Sequence, residues 1–171
     1  MNSAKQVDVG VSVRTARPAE YDVIGALTLN AYSLDGLIDD DSDYARDLRD
    51  ASRRAEHADL LVAVDEHQNV LGTVTFCMPG SPYAELSREG QAEFRMLAVA
   101  VSARGQGVGE KLVRACLDRA ESKGCTSVVI STRPQMLSAH RIYQRLLFDR
   151  TPELDWEPVP GIELITYARK L

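Results

Sequence analysis

Apolar positions recur along the chain with two periods, and the switches between them predict the elements. Val11-Ser-Val-Arg-Thr15 alternates and reads as a first strand. Pro18 suits a helix's first turn, Glu20 follows closely, and Val23, Ile24, Leu27 and Ala31 form that helix's apolar stripe. Residues 34–43 are an acid-rich loop. Asp41 or Ser42 can cap a second helix, on which Tyr44, Leu48, Ala51 and Ala55 share a face. Residues 60–64 and 70–77 are strands with a short polar link, which predicts a hairpin. A loop over 79–91 leads to a strand over 92–101, a glycine turn and a long helix from Val108 to about Lys123. Val108, Leu112, Cys116 and Ala120 form one row of that helix, and Gly124 ends it. Residues 126–132 read as a buried strand. Met136, Ala139, Ile142 or Tyr143, and Leu146 mark a last helix. Residues 148–156 and 162–169 read as closing strands around Pro158-Val-Pro-Gly161.

The resulting order, β-α-α-β-β-β-α-β-α-β-β, predicts an α/β fold (α+β by some schemes), a mixed sheet of about seven strands with helices on both faces. No internal repeat or second core is visible. Residues 11–171 therefore read as a single domain behind a polar, frayed segment over 1–10.

Composition changes this picture little. The 171 residues suffice for one domain with a sizeable core, and 44% hydrophobic with 26% charged residues is ordinary for a soluble globular protein. A net charge of −5 disfavours a phosphate-tracking nucleic-acid binder. Cys77, Cys116 and Cys125 lie in or beside apolar runs without a CxxC, and read as reduced core residues of a cytoplasmic protein. His57, His67 and His140 form no ligand cluster, so no metal is expected. No apolar run approaches the ~20 residues of a membrane span, and the first residues lack an apolar signal region.

The chemistry concentrates in Arg104-Gly105-Gln106-Gly107-Val108-Gly109, between a strand and a helix. A helix start offers about four N–H groups without intrahelical partners and the positive end of the macrodipole, and glycines let an anion approach the backbone. A phosphate or diphosphate is the first ligand to consider. No Gly-Lys-Ser/Thr follows, which excludes a P-loop. A dinucleotide fingerprint fits at Gly105 and Gly107, but its third glycine falls on Glu110. Ser131-Thr132-Arg133 could greet a 2′-phosphate, so an NADP reading stays open.

The sequence Arg-Gly-Gln-Gly-Val-Gly resembles the [Gln/Arg]-x-x-Gly-x-[Gly/Ala] signature of the GNAT superfamily of N-acetyltransferases. Arg95-Met-Leu-Ala-Val99 resembles that family's fourth strand, and Ala139-His-Arg-Ile-Tyr143-Gln-Arg-Leu-Leu-Phe148 its later helix, Ala-x-x-x-Tyr-x-x-x-Gly-Phe. Two positions depart from the pattern. Leu147 stands where the family usually has glycine, and Met136 where many members carry an asparagine that contacts coenzyme A. The resemblance implies a mostly antiparallel central sheet and transfer of an acetyl group from acetyl-CoA to a primary amine, in a ternary complex without metal. It places the diphosphate on the backbone of Arg104, Gly105, Gln106, Gly107, Val108 and Gly109. The pantetheine arm would run against Leu97, Ala98 and Val99, pairing like an added strand where a bulge or splay frees the backbone. Ala139 and Tyr143 complete the cofactor contacts.

For the chemistry, the resemblance points to Tyr143 as the acid for the leaving thiolate and Glu93 as the base for the amine. In a regular strand Glu93 would share a face with Arg95 and Leu97. Plainer readings stay beside these: a core tyrosine, and a solvated strand-end acid paired with Arg95. The acceptor would lie among 34–43, 79–91 and 156–161, with Tyr83 and Trp156 as pocket walls or packing residues. Asp35, Asp39, Asp40, Asp41 and Asp43 would either attract a cationic amine or form a solvated loop. The acceptor class, small molecule or peptide, stays open, as does homodimerisation; neither nucleic acid nor membrane is expected as a partner. A non-catalytic acyl-CoA sensor is the second functional reading.

Overall fold

A computed structural model describes residues 10–171; nearly all of the segment expected to fray lies outside them. Strand β1 (Ser12–Thr15) leads through a 3₁₀ turn at Pro18–Glu20 into α1 (Tyr21–Leu34). Glu20 accepts the Arg17 N–H at 2.8 Å and pairs with Arg14, which fixes the entry angle. The single second helix of the sequence reading is two helices, α2 (Asp43–Arg49) and α3 (Ala51–His57). Asp50 divides them. It ends α2 in a non-helical conformation, and its carboxylate accepts the Arg53 N–H at 3.0 Å to start α3. Ser42 caps α2 through the Ala45 N–H.

The hairpin is present as β2 (Asp59–Val64) and β3 (Val70–Cys77), followed by β4 (Gln91–Val99), α4 (Val108–Ser122), β5 (Ser127–Thr132) and α5 (Leu137–Arg145). The closing part differs from expectation. Residues 148–156 are not one strand: β6 is only Asp149–Arg150, Pro152–Leu154 form a 3₁₀ turn, and β7 (Trp156–Val159) pairs with β8 (Ile162–Lys170). Pro152 has no N–H for a ladder, so the chain turns there. The sheet has eight strands rather than seven, in the order β1-β2-β3-β4-β5-β8-β6, with β7 also on β8. Only β4 and β5 run parallel; the remaining pairs are antiparallel.

Helices cover both faces, which is why β2 reads as a continuous apolar run. Leu61 and Ala63 pack with Leu112, Val113 and Cys116 of α4, while Leu60, Val62 and Val64 pack with Ile24 and Ala51 on the other side. A third cluster of Leu48, Cys77, Tyr83 and Met96 closes the α2 end. No helix of the described residues is long and apolar enough to cross a membrane.

Candidate active site

The site begins with an interruption in the sheet. β4 and β5 are in register only at Gln91–Ser127, Ala92–Val128 and Glu93–Val129; beyond Glu93 they diverge. On its other edge β4 carries a bulge: Thr73 faces Ala98 and Thr75 faces Arg95, so Met96 and Leu97 together oppose Val74. Met96 takes a φ of 55° to make the bulge. Leu97 therefore turns to the α4 side with Phe94 and Ala92, and does not share a face with Glu93 and Arg95 as a regular strand would require. The splay leaves main-chain groups of Leu97, Ala98 and Val99 along the wall of a cleft of about 560 Å³, within the range of small-molecule sites.

The bend closes one end of this cleft. Gly105 and Gly107 have φ of 76° and 78°, and a Cβ on either would meet no neighbour. Glycine is there for the backbone conformation and for the open face it leaves. The helical ladder of α4 begins with the Lys111 N–H on the Gly107 carbonyl, so the amides of Val108, Gly109 and Glu110 lack partners within the helix. Gly109 has a different reason: a Cβ would stand 2.9 Å from Cδ1 of Ile142, so its absence lets α4 approach α5. Glu110 would repel an anion at the helix start, but Arg114 and Arg145, at 2.9 and 3.0 Å, offset its charge while lowering its pKa.

Of the residues singled out for the cofactor, Leu97, Ala98, Val99, Arg104, Gly105, Gly107, Val108, Gly109 and Ala139 line this cleft. Gln106 and Tyr143 are not in its lining; the Gln106 side chain donates to the Ser102 carbonyl at 3.3 Å. Asp35, expected only as one acid of the acceptor loop, lines it too, and periodicity and motif did not reveal Tyr32 and Leu37 from the α1 end or Arg141 and Arg145 from α5, which also line it. Nothing local marks Tyr32 and Leu37, because only the tertiary fold brings α1 over the splay. The two arginines stand four residues apart on α5, a spacing that puts them on one helix face and could have drawn attention to them. Arg141 is exposed and makes no ion pair among the described residues.

Tyr143 is 4% exposed and packed among Phe94, Phe148 and Tyr167, with ring centroids 5.7–6.0 Å away. Burial pushes its pKa up, so the hydroxyl keeps its proton. Burial raises the pKa of Tyr32 well above its ordinary value, and Tyr44 and then Tyr143 push it further. Glu93 is not solvated but 1% exposed. Its oxygens accept the N–H groups of Glu85 and Leu86 at 2.6 and 2.7 Å. Burial lifts its pKa above the ordinary carboxylate value, and the two N–H donors oppose that rise. Arg95 pairs with Glu85 at 3.1 Å, not with Glu93.

Tyr83 is a packing residue, 6% exposed against Leu48, Cys77 and Met96. Burial pushes the Cys77 thiol up to about 12, a poor setting for a nucleophile. Leu147 adopts the left-handed φ of 61° that a glycine would take, and the helix exit it makes carries the Phe148 N–H to the Tyr143 carbonyl at 2.9 Å. Met136 lines the cleft with its thioether 3.5 Å from the Thr132 hydroxyl.

Comparison with known proteins agrees with this geometry. An uncharacterized N-acetyltransferase of Schizosaccharomyces pombe is 32% identical over 106 residues, 62% of this chain and 61% of that protein. A mycothiol acetyltransferase of Saccharopolyspora erythraea is 30% identical over 93 residues, 54% of this chain and 28% of that protein. The chain thus spans less than two thirds of either relative's length. Among solved structures, a GNAT-family acetyltransferase from Staphylococcus aureus Mu50 superposes with a TM-score of 0.74 at 16% identity, covering 94% of this chain and 99% of that one. The structure of yncA from Salmonella typhimurium, solved with its cofactor acetyl-CoA, superposes at 0.68 with 22% identity, covering 95% and 94%. A sequence model of one family matches residues 22–148, from the start of α1 through the tyrosine helix. With strand splay, glycine bend and tyrosine helix all falling inside that match, the chain belongs to the acetyltransferase (GNAT) family.

Proposed function

We propose that this protein transfers an acetyl group from acetyl-CoA to a primary amine by direct attack in a ternary complex. The observation that carries the reading is the continuity of the cleft. It runs from unpartnered amides at the start of α4, past two positive-φ glycines, to the freed edge of β4. A diphosphate needs the first part and an amide-rich, extended arm needs the last. Arg104 and Arg141 add positive charge to the diphosphate end. Family membership removes the reason for an NADP site.

The acceptor amine must lose its proton before attack. At an ordinary pKa of ~10.4, this costs roughly 4.6 kcal/mol at pH 7. Glu93, with its pKa lifted by burial, is the proposed base. Because it lies outside the cleft lining, its proton would travel through water. Tyr143, kept protonated, is the proposed donor to the departing thiolate. The attack forms the amide bond and breaks the thioester without an enzyme-bound acyl group, so no nucleophilic side chain is needed.

Thiol release measured with polyamines, aminoglycosides, amino acids and N-terminal peptides tests the proposal. Turnover with at least one amine is expected. Acetyl-CoA binding without turnover on any of them would favour the sensor instead.

A further inference from the structure

Arg104 does not point freely at the bend it precedes. It reaches across the mouth of the cleft to Asp35 in a two-pronged ion pair, Nη1 to Oδ1 at 2.9 Å and Nη2 to Oδ2 at 3.0 Å, and both residues line the cleft. Asp35 directly follows α1. Two residues on, the same loop is also held by Arg133, which donates from Nη1 to the Leu37 carbonyl at 2.6 Å. The α1–α2 loop is therefore clasped by two arginines, one from the segment after β4 and one from the segment after β5.

A diphosphate seated on the bend would place extra negative charge near the Asp35 carboxylate, and the two repel. The guanidinium has one planar fork, and a phosphate group, with more charge and more acceptor oxygens, is the stronger claimant. The pair is 41% and 44% exposed at its two side chains, a setting in which ion pairs are weak and readily exchanged.

We infer that Asp35 is a positioning residue for the cofactor: it holds Arg104 in the free protein and yields it to the diphosphate when acetyl-CoA enters, which frees one side of the α1–α2 loop. The inference rests on the bend being the diphosphate site.

The test is calorimetric titration of acetyl-CoA into the wild type, Asp35→Asn, Asp35→Glu, Arg104→Ala and the Asp35→Asn/Arg104→Ala double variant, with Gly107→Val as a reference. Asp35→Asn should bind about three- to tenfold more tightly at low salt, and the gain should shrink in 0.5 M NaCl. Asp35→Glu, which keeps the charge, should stay within about twofold of wild type. In the Arg104→Ala background the Asp35→Asn gain should shrink to what relief of the repulsion alone supplies, because the exchange has lost its second member. An Asp35→Asn variant that binds no better than wild type, or one whose gain is the same in both backgrounds, overturns the exchange alone. Equal binding of acetyl-CoA by wild type and Gly107→Val would overturn the bend as diphosphate site, and the exchange with it.

Discussion

The two faces of the sheet do their work with different parts of the chain. On the α4–α5 face the groups proposed to meet the cofactor are mostly main-chain amides, presented by a bend, a helix start and a strand edge. On the α1–α3 face the organising group is a side chain. Arg54 is fully buried and donates to the hydroxyls of Thr75 and Thr28 at 3.2 and 3.3 Å and to the Leu48 carbonyl at 2.7 Å. Its Nε has no partner, and no carboxylate lies within ion-pair distance of it among the described residues. Burial lowers its pKa, while the nearby Tyr32, Tyr83 and Tyr44 pull the other way. A buried charge without a counter-charge persists only when hydrogen bonds replace its water. The first face relies on groups that every residue type except proline carries. The second relies on one guanidinium, which ties α1, α2 and β3 together.

Substitutions can break or sharpen that contrast. Arg54→Ala should have the largest effect, a loss of about 3–5 kcal/mol in urea unfolding, since it removes three hydrogen bonds and leaves a cavity. Arg54→Met, which keeps most of the volume, should lose less than half of that. A cost below 1 kcal/mol for the alanine variant would erase the distinction between the faces. Gly107→Val should weaken acetyl-CoA binding at least about 100-fold by calorimetry. A branched side chain both resists the φ of 78° and projects from the anion-binding face, while nothing in the fold is crowded by it.

Tyr143→Phe should lower kcat about tenfold or more and leave the acetyl-CoA Kd within about twofold. Unchanged turnover would reduce Tyr143 to a member of the aromatic cluster around Phe94.

Glu93→Gln concerns the boundary between the faces. The base must be deprotonated, so the acid limb of kcat/KM in the wild type should lie above the ordinary carboxylate value, following the raised pKa. The Gln variant should move that limb to more alkaline pH, where the amine loses its own proton. The linkage has the opposite sense for stability. A carboxyl group with a raised folded pKa binds more protons when folded, so its contribution declines as pH rises from the ordinary carboxylate value through the folded one. The pH dependence of unfolding in the two proteins reads this directly.

Leu147→Gly should have the smallest effect, a gain of about 0.5–1 kcal/mol in thermal or urea unfolding. Leu147 is 73% exposed and held at a φ that suits glycine.

Legibility in the sequence followed the same division. Strand, bend and helix at 91–122 could be read because each rests on local chemistry: alternation, glycine spacing, a four-residue row. The second helix was misread as one piece because Asp50 sits in a sustained apolar row, and only its cap geometry reveals the break. Residues 148–156 read as one strand because Phe148, Leu154 and Trp156 hide the break that Pro152 makes. Leu97 was placed on the wrong face because one extra residue at Met96 reverses every side chain beyond it, and no composition marks such a bulge.

What the sequence by itself determined is the element order from β2 to α5, the glycine bend and the family resemblance, because backbone conformation and helix starts depend on neighbours a few residues away. Only the tertiary structure decided that β4 parts from β5 beyond Glu93, that Glu93 is sealed by the N–H groups of Glu85 and Leu86, and that Asp35 meets Arg104. Those arrangements join residues up to 69 positions apart along the chain. Their energies come from burial and charge at contacts that exist only once the sheet has brought the separated segments together.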